Sequence, residues 1–113
     1  MKTGLFFSMI LVLFVFQPQI KATPINSFIN NVSPSMNAVS VNRSSNITIV
    51  FTQDMNASTI NGANIKVFGY MTGLLPVTID YNPVSKTLNI NPNQDFKIGE
   101  KISITLTSGL KTL

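Results

Sequence analysis

The feature that most constrains this chain is a two-residue alternation of side-chain character that recurs from Asn46 to Thr107. Ile47, Ile49 and Phe51 alternate with Asn46, Thr48, Val50 and Thr52. Ile65 and Val67 flank Lys66, and Val77, Ile79 and Tyr81 alternate with Thr78 and Asp80. Leu88 and Ile90 alternate with Thr87, Asn89 and Asn91. Ile102, Ile104 and Leu106 alternate with Lys101, Ser103, Thr105 and Thr107. Successive side chains of a strand point to opposite faces, so each run predicts an antiparallel strand with one face packed and one face wet. Ile, Val and Thr dominate the runs, and these residues suit a pleated surface.

Turn formers separate the runs. Ser33-Pro34-Ser35 closes an extended piece around Phe28 to Val32. Asn61-Gly62, Thr72-Gly73, Asn82-Pro83, Asn91-Pro92-Asn93 and Ile98-Gly99 supply the later corners, because Asn and Gly tolerate left-handed backbone and Pro fixes φ. Short strands with such spacing predict a sandwich or barrel. One helical turn is expected at Asn56 to Ile60, capped by Asn56.

The first 22 residues have another character. Met1-Lys2 gives a positive start, Leu5 to Phe16 is uncharged and apolar apart from Ser8, and Gln17-Pro18-Gln19 breaks the run before Ile20-Lys21-Ala22. This order is that of a cleavable secretory leader, with the cut expected between Ala22 and Thr23. The apolar run falls short of the roughly 20 residues that a spanning helix needs. The expectation is a helical signal peptide over residues 1–22, a single domain over residues 23–113, and no membrane span in the mature form. Losing Lys2 and Lys21 from the eight basic residues leaves six against four acidic ones, a net charge of +2. Those basic residues are scattered, whereas a nucleic-acid surface wants a basic patch or stripe, so nucleic acid is not an expected partner. The chain has no cysteine, so its core alone must hold it.

With the strands in place, Ile49-Val50-Phe51-Thr52-Gln53-Asp54-Met55-Asn56-Ala57-Ser58-Thr59-Ile60 resembles the first core segment of the SbsA-type bacterial Ig-like domain. Asn64 to Phe68 is similar to that family's next strand, and Val77 to Leu88 to its central hairpin. Phe96-Lys97-Ile98-Gly99-Glu100 followed by Ile104 to Leu110 is similar to its late segment. The resemblance spans residues 28–113. It implies an all-β, antiparallel immunoglobulin-like β-sandwich, found in exported surface proteins as a stalk, spacer or adhesive module without shared catalytic residues. In that family the chain runs on past the Gly-Leu-Lys corner into a final strand, so the sandwich here is expected to lack its last strand. Ile102 to Ser108 would then present an open edge, and other modules or chains would be its partners.

The side-chain chemistry points away from catalysis. Without histidine or cysteine, the Ser-His-Asp and Cys-His systems and the N and S ligands of zinc are missing. The four carboxylates are Asp54, Asp80, Asp95 and Glu100, and the pattern places them outward on a strand or in turns, as solvated charges. No stretch has the dense Asp spacing of a calcium loop. No catalytic, cofactor or metal residues are therefore expected. Met55 and Ile60 are expected to fill the core. Tyr70, beside Gly69, is the one exposed aromatic expected to contact a ligand. The composition predicts no contiguous aromatic patch, which favours an exported structural or interaction module, secreted, periplasmic or on the cell surface. A module binding carbohydrate or a surface polymer is the alternative.

Overall fold

The computed structural model describes residues 9–13 and 28–113. Eight strands occur among them: β1 (Met9–Leu13), β2 (Ile29–Ser33), β3 (Ile47–Phe51), β4 (Ile65–Gly69), β5 (Gly73–Leu74), β6 (Val77–Asn82), β7 (Thr87–Pro92) and β8 (Ile102–Leu106). They form two antiparallel four-stranded sheets, ordered β1-β8-β4-β5 and β2-β3-β7-β6. Of the sandwich or barrel that the alternation predicts, the observed fold is the all-β sandwich that the family resemblance implies.

The alternation also has the expected phase. Ile47, Ile49 and Phe51 of β3 are buried, with Leu88 and Ile90 of β7 paired beside them. From the other sheet, Ile65 and Val67 of β4 and Ile102, Ile104 and Leu106 of β8 close the same core. Met55, Leu75, Phe96 and Leu110, outside the strands, complete it. Burying an Ile, Leu or Phe side chain stabilises by about 1.5–3 kcal/mol, so this cluster is the main source of cohesion in a chain without disulfides. On β6, Val77, Ile79 and Tyr81 stay half-buried, because that strand ends its sheet. Tyr81 meets Phe51 edge to face at 6.3 Å, and its hydroxyl oxygen accepts the Met55 N–H at 3.1 Å. The predicted turn is a single 3-10 turn over Ala57–Thr59, and the Asn56 side chain accepts from the Ser58 N–H.

Two expectations need correction. Within the segment read as a helical leader, Met9–Leu13 is a β-strand. The edge of β8 is also not bare, since β1 pairs with it from Met9↔Leu106 to Leu13↔Ile102. Both differences have one cause. A short apolar run does not distinguish helix from strand by periodicity. An open β8 edge offers unpaired backbone groups that favour the extended form. The remainder of residues 1–22, and the expected Ala22–Thr23 cut, lie outside the described residues.

Candidate binding face

The alternation of β4 continues past its end. Ile65, Val67 and Gly69 turn inward, so Lys66, Phe68 and then Tyr70 turn outward. Leu74 of β5 pairs with Phe68 and is itself exposed. The Phe68 and Tyr70 rings meet at 5.7 Å and 71°, an edge-to-face contact. The Tyr70 N–H donates to the Lys101 carbonyl at 3.0 Å, which extends the β4–β8 ladder by one pair. This step brings the Lys101 ammonium to 4.4 Å from the centre of the Tyr70 ring, within reach of its negative face. With Met71, also exposed, the outer corner of the sheet carries an apolar and aromatic patch with a cation at its side.

The patch stands on a buried carboxylate. Glu100 is 4% exposed, not the solvated turn charge that its sequence position suggests. Its Oε2 accepts the N–H groups of Met71 at 3.0 Å and Thr72 at 2.7 Å. Its Oε1 accepts the Thr72 hydroxyl and the Lys97 N–H, each at 3.1 Å. The carboxylate therefore pins the turn that follows Tyr70 to the loop that precedes β8. Gly69 is required directly above it, because a Cβ there would overlap the Glu100 side chain. Burial alone would raise the Glu100 pKa. The hydrogen bonds from the Thr72 hydroxyl and from the Lys97, Thr72 and Met71 N–H groups outweigh it and leave the pKa below the ordinary glutamate range.

Tyr70 lies where the sequence places it, exposed at a turn, but it does not stand alone. The aromatic patch, unexpected from composition, consists of Phe68, Tyr70, Met71 and Leu74. Continuing the Ile65–Val67 alternation by three residues would have found its Phe68–Tyr70 part. Met55 is buried and Ile60 packs against the core, as expected. Asp54, Asp80 and Asp95 are exposed. Among the described residues, no group of three His, Cys, Asp or Glu side chains is placed to hold a metal ion.

Two antiparallel sheets around one apolar core, with an exposed apolar corner, define an all-β sandwich of the immunoglobulin-like class. The bacterial Ig-like domain family matches residues 22–113, and the chain belongs to that family. No curated protein and no solved structure matches it.

Proposed function

We propose that this chain is an exported, non-enzymatic structural and interaction module, a spacer or docking domain of a bacterial cell-surface or secreted protein. Within its family it is of the SbsA type. The observation that carries the reading is the family match over residues 22–113, in a family that occurs in bacterial surface proteins. The match starts beside the expected Ala22–Thr23 cut, directly after the segment with leader character. Among the described residues no helix is long and apolar enough to cross a membrane. The export arm is tested by sequencing the N-terminus of secreted protein. Thr23 as the first residue supports the reading, and mature exported protein that retains Met1 rejects it.

A second reading is favoured by the Phe68–Tyr70–Leu74 corner: a module that binds carbohydrate or a cell-surface polymer. Exposed apolar patches on small domains mark contact surfaces. Binding of isolated cell-wall polysaccharide that Tyr70→Ala abolishes would establish this second reading over a purely structural role.

A further inference from the structure

We propose that, once residues 1–22 are removed, the β8 edge covered by β1 pairs antiparallel with β8 of a second copy, about a two-fold axis beside Ile104. The removal step rests on the export reading above.

The direction of the backbone groups comes from the neighbouring ladder. The Lys101 carbonyl accepts the Tyr70 N–H at 3.0 Å, and the Thr107 N–H donates to the Asn64 carbonyl at 2.9 Å. Residues 101 and 107 thus turn their backbone groups toward β4. In an antiparallel ladder this direction alternates, so Ser103 and Thr105 do the same. Ile102, Ile104 and Leu106 turn theirs the other way, toward β1. Removing β1 bares their N–H and C=O groups.

Natural edges are guarded by charge, proline, bulges or short length. Ile102-Ser103-Ile104-Thr105-Leu106 has no charge and no proline, and it pairs with β4 without a shift in register. The flanking Lys101 is drawn aside over the Tyr70 ring. The edge is thus open to strand addition.

The strand also fits its own edge. The slot holds a five-residue strand in the register Met9↔Leu106, Leu11↔Ile104 and Leu13↔Ile102. A second β8 run antiparallel in the same register sets Ile102 opposite Leu106, Ile104 opposite Ile104 and Ser103 opposite Thr105. Apolar residues then meet on the core face, and the hydroxyls of Thr105 and of Ser103, itself buried in the full chain, meet on the opposite face, a favourable cross-strand pair. Ile104 falls at a hydrogen-bonded position of that edge, so each copy exchanges both bonds with the other. The contact is isologous and closes at a dimer. The far end of the sheet, the two-residue β5, is too short to continue the array. The trimmed chain retains the core described above, which runs from Ile47 to Leu110.

The test compares the full chain with residues 23–113, produced directly, by sedimentation equilibrium over a wide concentration range. The full chain is expected to be monomeric and the trimmed chain to dimerise reversibly. Ser103→Lys with Thr105→Lys in the trimmed chain sets lysines against lysines across the two-fold and is expected to abolish the dimer, with a thermal melt reporting whether the domain is intact. Because the chain has no cysteine, register can be read directly. Mixed trimmed chains carrying Ser103→Cys and Thr105→Cys are expected to form the mixed disulfide in excess over either like pair. This readout decides the matter if the lysine variant unfolds. A trimmed chain that stays monomeric at every concentration overturns the proposal. So does association that survives the lysines in a folded domain, or cross-linking without preference for the 103–105 pair. An exported protein that begins elsewhere than Thr23 counts against the export reading alone, since the trimmed chain is made without it.

Discussion

Glu100→Gln isolates the clamp beneath Tyr70 at almost constant volume. The substitution removes a buried charge that accepts from two Thr72 groups, Met71 and Lys97. A glutamine oxygen at the Oε2 position retains the Met71 and Thr72 N–H bonds. Its amide nitrogen then faces the Thr72 hydroxyl and the Lys97 N–H. The hydroxyl can rotate and accept, but the Lys97 N–H meets another donor. An unsatisfied buried donor costs about 1–3 kcal/mol, and bonds to a charged acceptor are roughly twice as strong as neutral ones. The expected loss is therefore about 2–4 kcal/mol near neutral pH, read as a lower midpoint in urea with an unchanged slope. The pH dependence supplies an independent check. The folded-state pKa of Glu100 is lowered, so the folded protein binds fewer protons there than the unfolded chain. Its contribution is complete above the ordinary glutamate pKa and fades as pH falls through the lowered folded value. The wild type is expected to lose its advantage over Glu100→Gln across that acidic window. A difference below about 0.5 kcal/mol at neutral pH, the range of an ordinary surface substitution, would refute the clamp, as would a difference that does not change with acid.

Phe51→Ala empties a buried site of the core and is expected to cost about 3–5 kcal/mol, measured by chemical denaturation. Thr48→Ala, on the outer phase of the same strand, loses only an exposed hydroxyl bond to Asn89 at 3.1 Å and is expected to cost under about 1 kcal/mol. Tyr81→Phe leaves the Met55 N–H without its hydroxyl acceptor while retaining the ring contact with Phe51. It is expected to cost about 1–3 kcal/mol, with faster exchange of the Met55 amide as the local readout.

The strands that alternate cleanly were legible because burial acts on each residue through its local phase. Ile47–Phe51, Thr87–Pro92 and Ile102–Leu106 needed no knowledge of their partners. What stayed hidden depends on distant segments. Glu100 reads as a turn charge until Met71 and Thr72, more than twenty-five residues earlier, are seen to donate to it. Met9–Leu13 has the composition of a leader, and its strand form is paired along the Ile102–Leu106 edge. Tyr70 and Phe68 are legible from the local alternation, whereas Leu74 and Lys101 are brought beside them by ladder and turn geometry.

The position of β8 within its sheet bears on the order of folding. β8 stands between β1 and β4, so without it β4 retains only the two-residue β5 and β1 has no neighbour in the sheet. Its sequence, Ile102–Leu106, comes near the end of the residues described. A chain emerging from the ribosome therefore has no assembled second layer until Ile102–Leu106 has been made. The pairing of β4 with β8 must then span the whole segment that holds β5, β6 and β7, and such non-local pairing is an entropic step that slows sheet formation. During synthesis the earlier strands lack the surface against which they would bury Ile47, Ile49 and Phe51. The topology thereby delays compaction until β8 has been made.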